Sequence, residues 1–199
     1  MAVHLTRIYT RTGDDGTTAL GDTSRVVKTD PRVGAYADCD ETNAVLGVAL
    51  ALGDLPADVA AVLGVVQNDL FDVGADLCTP VRPDPAPGDS RKSEWAPPLR
   101  VEQSYIDRLE RWCDEFNERL SKLDSFILPG GTAGAAYLHQ ARTVARRAER
   151  SAWALFEAEP DATNRTAMLY LNRLSDLLFI LARCANPAGD VTWKPGGER

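Results

Sequence analysis

Residues 125–153 read SFILPGGTAGAAYLHQARTVARRAERSAW, and in this stretch a Pro-Gly-Gly turn opens a long helix dense in arginine. Thr132 stands where an N-cap belongs, its hydroxyl free to accept from the first unpaired helical amides, and Pro129, Gly130 and Gly131 make a sharp entry. At about 100° per residue, Arg142, Arg146, Glu149, Arg150 and Trp153 share one sector of the helix, while Leu138, Ala141, Val144, Ala145, Ala148, Ala152 and Leu155 gather on the other side. One face packs and the other collects positive charge. A guanidinium stripe held on a helix suits bidentate recognition of phosphate or carboxylate. A solvated face laced with salt bridges is the competing reading.

The helical pattern continues on both sides. Asp30 and Pro31 predict the cap and first position of a helix running to Leu52 and ended by Gly53-Asp54, with Asp38, Asp40, Glu41 and Asn43 along it. A second helix starts at Pro56 and carries Val59, Leu63, Val66, Leu70, Val73 and Leu77 at bundle spacing. Residues 79–98 contain six prolines and predict a long irregular connection. A third helix is expected over about 101–123, with Ile106, Leu109, Trp112, Cys113, Phe116 and Leu120 inward. The arginine helix is the fourth. A fifth is expected over about 163–185, where Met168, Leu171, Leu174, Leu177, Leu178 and Leu181 pack, and where Asn172, Arg173 and Asp176 need polar partners. Five helices of about 20 to 27 residues, with no strand series, predict an all-α bundle. The expected organisation is a single domain over 1–199, with an N-terminal loop at 1–29, the bundle at 30–185 and a tail at 186–199.

Composition narrows the function. The chain has 199 residues, 44% hydrophobic and 26% charged, enough for a substantial core. A formal net charge of −7 disfavours a nucleic-acid binder, so the arginines are better matched to a small anionic ligand. No secretory signal and no uninterrupted apolar run of about 18 residues is visible, which sets the expectation of a soluble cytoplasmic protein without membrane contact. Cys39, Cys78, Cys113 and Cys184 are dispersed and form no metal-ligand spacing, so they read as reduced core residues. The two histidines, His4 and His139, exclude a multi-histidine metal centre, and His139 reads as structural or water-bonded.

The N-terminal segment, HLTRIYTRTGDDGTTALGDTSRVVK over 4–28, has turn composition, with a short strand expected at 7–10. Gly13 and Gly16 let successive amides approach an anion, Thr10, Thr12, Thr17 and Thr18 supply hydroxyls, and Lys28 supplies a point charge. That is a phosphate cradle, although neither a GxxxxGK[ST] nor a GxGxxG is present. Asp14-Asp15-Gly16 as an ordinary surface turn is the alternative.

Four segments in order, TRTGDDGTT at 10–18, SFILPGG at 125–131, ARRAER at 145–150 and NRLSDLLF at 172–179, resemble the PduO-type ATP:cob(I)alamin adenosyltransferases. The resemblance runs from residue 6 to about 183, apart from the proline-rich connection. It implies a five-helix bundle of ferritin-like or cobalamin adenosyltransferase-like form, assembled as a homotrimer, with ATP between neighbouring subunits and a corrinoid in an adjacent apolar cavity. Thr10, Thr12, Gly13, Thr17 and Lys28 are then expected around the nucleotide phosphates. Arg142, Arg146 and Glu149 are expected at the nucleotide from the arginine helix, and Asn172 from the last helix. Asp40 matches an acidic family position and offers Arg142 a carboxylate across the subunit interface. Its tetrad is Asp40-Glu41-Thr42-Asn43, with threonine where the family usually has leucine, a departure that bears on packing.

The implied reaction transfers the 5′-deoxyadenosyl group of ATP to cob(I)alamin, giving adenosylcobalamin and triphosphate. Co(I) is itself a strong nucleophile, so no activated serine, cysteine or histidine is needed. The protein has to align the reactants and neutralise the leaving triphosphate, through Lys28, Arg142, Arg146 and a Mg²⁺ held mainly by phosphate and water; no residue is assigned as its ligand. Phe126 has two readings: a core residue closing the bundle end, or a ring beside the corrinoid that excludes its lower axial ligand. Arg147, Arg150, Arg173 and Asp176 are expected to tie helices together through buried polar pairs, and Trp153 to pack. A nucleotide-gated cobalamin carrier serving a dependent mutase is the alternative function, and a helical scaffold is a third. Whether one copy of 125–153 serves one site or bridges two is left open.

Overall fold

A computed structural model describes residues 8–83 and 97–198. His4, the first residue of the strand expected at 7–10, the middle of the proline-rich connection at 84–96, and Arg199 lie outside the described residues. Two short strands, β1 (Thr17–Ala19) and β2 (Arg25–Val27), precede five long helices: α1 (Pro31–Leu52), α2 (Ala57–Cys78), α3 (Gln103–Asn117), α4 (Ala133–Ala158) and α5 (Arg165–Cys184). The architecture is therefore mainly helical, with one small sheet that the sequence reading did not include.

The strands pair antiparallel with Thr17 opposite Val27 and Ala19 opposite Arg25. Residues 8–10 join no strand, because the ladder forms where β-branched Thr17, Thr18, Val26 and Val27 can face each other across a turn. The hairpin is anchored by buried Leu20 and by the Gly21 amide, which donates to the Cys78 carbonyl at 3.1 Å.

The helix starts follow their caps. Asp30 accepts from the Arg32 amide at 2.8 Å, Thr132 from the Ala135 amide at 3.1 Å, and Asn164 from the Thr166 amide at 3.1 Å. α1 and α2 end within a residue of expectation, whereas α3 stops at Asn117 instead of about 123 and α5 starts at Arg165 instead of 163. At the start of α5 a side chain takes over from the helix. The Val101 amide donates to the Asp76 carboxylate at 2.7 Å, and Asn164 reaches the same carboxylate at 2.6 Å while capping α5. Beyond Asn117 the polar run Glu118-Arg119 and Ser121-Lys122 has only Leu120 to bury.

α1 lies against α4 and α2, α4 against α5, and α3 against α5. The inward residues expected on α2, α4 and α5 are all in the core. Thr42 is buried too, and its hydroxyl donates to the Asp38 carbonyl of its own helix at 2.8 Å, so the threonine is accommodated without a partner on another element. Cys39 is buried and the other three cysteines are half-buried, all unbridged.

Buried ion pairs join the elements. Arg32, 1% exposed, donates to the Leu77 carbonyl, Glu159, the Ala162 carbonyl and Thr163, tying the start of α1 to the end of α2 and to the α4–α5 turn. Asp69 on α2 takes Arg108 of α3 through both oxygens at 2.6 Å and the Tyr170 hydroxyl of α5 at 3.1 Å.

Candidate functional site

The arginine helix brings its charged sector to the surface as the periodicity requires. Arg146 and Arg150 are exposed, while Arg142, Glu149 and Trp153 are half-buried. Glu149 accepts from Asn172 of α5 at 3.0 Å, so two of the expected nucleotide residues meet across a helix pair. Arg147 does bridge helices, to Asp38 at 3.4 Å and to Glu41, but at a partly exposed seam. Arg173 pairs with Glu110 at 3.0 Å and Asp176 at 2.8 Å, again near the surface. Among the described residues the Arg150 side chain bonds only to the Arg146 carbonyl, at 3.4 Å. The expectation of buried pairs for these side chains is thus corrected: among the described residues the buried pairs are built on Arg32, Asp69, Asp76 and Arg183. Trp153 packs edge-on to Phe156 with ring centres 5.7 Å apart.

Arg142 turns toward a cavity of about 730 Å³, which it lines with Leu123, Phe126, Ile127, Phe179 and Trp193. Phe126 is 80% exposed and edge-on to Trp193 at 6.2 Å, so it is no part of the bundle core. The wall is a short ribbon: the Trp193 amide donates to the Phe126 carbonyl at 2.7 Å and the Leu128 amide to the Val191 carbonyl at 2.8 Å. Gly131 is needed at its end, since its φ is +100° and a Cβ there would meet the Asn186 side chain at 2.6 Å. Arg142 Nε is buried without a hydrogen-bond acceptor, and burial followed by the charge of Arg146 pushes its pKa down from the usual value. His139, one turn earlier, is buried against Phe179 with Nδ1 unpaired; burial and then Arg142 push its pKa down as well.

The threonine-rich loop closes on itself. Thr10 and Thr12 hydroxyls are 2.9 Å apart, the Thr17 hydroxyl donates to Asp15 at 2.8 Å, and the Lys28 amide donates to the Gly16 carbonyl at 2.9 Å. A Cβ on Gly13 would lie 2.9 Å from the Thr17 carbonyl and 3.2 Å from Lys28 Nζ, so the glycine is what admits the ammonium group. Thr12, Gly13, Thr17 and Lys28 therefore converge. Arg25, which no motif singled out, sits among them, donating to the Thr12 carbonyl at 2.6 Å and to the Thr17 hydroxyl. The loop bonds to α2 and its C-terminal extension, through Gly21 to Cys78 and through Asp22 to Arg82. None of its hydrogen bonds among the described residues reaches Arg142, Arg146, Glu149 or Asn172. Asp40 stands apart from Arg142, exposed beside Asn43 and Phe71 and with no ion-pair partner among the described residues.

The Cobalamin adenosyltransferase family model matches residues 8–185. The chain belongs to the cobalamin adenosyltransferase family. It is 62% identical over 199 residues to a corrinoid adenosyltransferase of Mycobacterium tuberculosis, covering 100% of this chain and 98% of that one. A corrinoid adenosyltransferase of Mycobacterium leprae is 60% identical over 197 residues, covering 99% and 100%. Among solved structures, a variant PduO-type ATP:corrinoid adenosyltransferase from Lactobacillus reuteri, complexed with cobalamin and ATP, superposes with a TM-score of 0.81 at 33% identity, covering 95% of this chain and 100% of that one. This member of the cobalamin adenosyltransferases differs from the sequence reading in one respect above all: Trp193 had been placed in a featureless tail, and a lone tryptophan there gave no periodicity from which its place beside Phe126 could be read.

Proposed function

We propose that this adenosyltransferase takes ATP and cob(I)alamin at the two surfaces described above, the corrinoid at the Phe126–Trp193 cavity and the nucleotide between the threonine-rich loop of one subunit and the arginine helix of another. The observation that carries this reading is the cavity itself, because an aromatic wall and a half-buried guanidinium face the same space. A corrin ring offers a large apolar face to the former, and the triphosphate needs cations of the latter kind.

In the step itself cobalt gives its electron pair to the ribose 5′ carbon while the C–O bond breaks and the triphosphate leaves with that bond's electrons. Cobalt passes from Co(I) to an alkylated Co(III). Lys28 and Arg146 hold the leaving phosphates, with Thr10, Thr12, Gly13 and Thr17 orienting them and Glu149 and Asn172 fixing the nucleoside end. Arg142, paired through its unsatisfied Nε with Asp40 of a neighbouring subunit, stands between the two substrates in a homotrimer. Phe126 excludes the lower axial ligand. Among the described residues no group of three or more His, Cys, Asp or Glu side chains is placed to hold a metal ion, so Mg²⁺ is proposed to ride on the phosphates and water.

The test is direct. Purified protein given ATP, Mg²⁺ and chemically reduced cobalamin should form a light-sensitive cobalt–carbon bond and free triphosphate. Tight ATP binding with no such product would overturn the reading.

A further inference from the structure

The cavity wall turns most of its apolar side chains outward. Phe126, Leu128, Val191 and Trp193 are all exposed, and the ribbon they share is a single bridge, Ile127 opposite Thr192, flanked by two amide hydrogen bonds. An isolated two-stranded ribbon is marginal in water, so something buried must fix it. Arg183, in the last turn of α5, meets that need. Its side chain is 6% exposed; Nε donates to the Asp190 carboxylate at 2.7 Å and Nη2 to the Ser121 carbonyl at 2.9 Å.

Those two acceptors head the two segments of the ribbon. Ser121 lies five residues before Phe126 and Asp190 three before Trp193. One planar fork therefore sets both segments at once, which a flexible ammonium could not do. The C-terminal end of α5 also favours a cation at this position. Among the described residues Arg183 makes no hydrogen bond to Glu149 or Asn172; its side chain bonds only to the two segments that run into the ribbon.

We infer that Arg183 is a positioning residue for the transferase reaction, clamping the Ser121 and Asp190 segments so that Phe126 and Trp193 are held where a corrinoid lower face would lie. This rests on the proposed function. Loosening the clamp lets the Phe126 ring retreat, and the lower axial ligand stays on cobalt. Co(II) then remains hard to reduce, whereas Co(I), which carries no lower ligand, is used nearly as before. ATP binding, on the other side of Arg142, is unaffected.

The experiment compares full-length wild type with Arg183→Gln and Asp190→Asn, the second being a mild change at the less buried partner that keeps size and shape should the first fail to fold. Two quantities are read with ATP present: the ratio of bound cob(II)alamin without to with a lower ligand, from its absorption and electron paramagnetic resonance spectra, and turnover starting from Co(II) relative to turnover from pre-reduced Co(I). Both should fall about tenfold, the scale of one charge-assisted hydrogen bond, with ATP Kd within about twofold of wild type. The double variant should be no worse than Arg183→Gln alone, since one contact is shared. Arg183→Lys should restore the ratios only in part. Unchanged ratios in Asp190→Asn, or ATP affinity falling in step with them, would overturn the clamp. An active wild type with that outcome defeats the clamp alone, while a wild type that makes no adenosylcobalamin defeats the proposed function as well.

Discussion

A guanidinium is least comfortable when one of its nitrogens is dry and unpaired, and Arg142 is in that condition, with Nε buried and Arg146 one turn away adding like charge. An anion brought to this point relieves both costs, which is the physical reason to place substrate here instead of treating the stripe as solvated decoration. Arg146 is exposed and its side chain makes no hydrogen bond or ion pair among the described residues, so Arg146→Ala should leave stability within about 0.5 kcal/mol. Losing one charge-assisted phosphate contact of about 1.5 to 3 kcal/mol should lower kcat/KM by roughly 10- to 150-fold, read in a steady-state adenosylation assay. Phe126→Ala separates the two readings of that ring. An exposed phenylalanine contributes little to folding, so the thermal midpoint should hold while turnover from Co(II) falls about tenfold, the scale of one aromatic contact. At this scale the exposure of Arg146 was legible because the helical period puts it on the charged face, while Phe126 stood open between core and cavity until its exposure was seen. Arg25 and Trp193 were not legible, since each is placed by a partner far along the chain.

Elements are held by groups whose partners periodicity cannot show. The apolar stripes of α2, α4 and α5 were readable residue by residue, because a 3.6-residue period says which side faces in. Arg32 looked like an ordinary residue in a first helical turn, yet it is buried and bonded to residues 45 to 131 positions away. Removing it takes that donor from the Leu77 carbonyl and leaves the Ala162 carbonyl with the Val81 amide alone. Arg32→Met should therefore cost about 1 to 3 kcal/mol, visible as a lower urea midpoint with adenosylation kinetics per folded molecule largely preserved. His139 gives a pH test on α4. Burial, then Arg142, holds its pKa below 6.5, against a weaker pull from Asp190. Below that pH the unfolded chain takes a proton that the native chain refuses, so stability is complete above about 6.5 and is lost as pH falls toward the native pKa. The urea midpoint of wild type should drop more between about pH 7.5 and about pH 5.5 than that of His139→Gln, because the substitution removes the titrating group.

At the scale of the whole molecule, the five-helix plan could be read from caps and periods, but the relation between the two halves of the nucleotide site could not. Sequence spacing locates residues along a chain; it does not say whether Lys28 and Arg146 would meet one ligand within the same copy. Among the described residues the threonine-rich loop is bonded toward α2, Arg142 Nε is unsatisfied on one cavity, and the Asp40 carboxylate has no ion-pair partner on another. If Asp40 of one subunit completes Arg142 of the next, the interface is heterologous and closes as a ring. Asp40→Ala and Arg142→Ala should each abolish most activity, yet mixing the two and reassembling them should restore some. Each mixed trimer then has one junction where an intact Asp40 meets an intact Arg142, and random assembly makes about a quarter of all sites complete. Activity of the mixture should thus approach about a quarter of the wild-type value, measured after denaturation and joint refolding, with each variant refolded alone as the baseline. If Asp40 and Arg142 instead worked within one chain, no mixed trimer would contain an intact pair and the mixture would stay at the level of its parents.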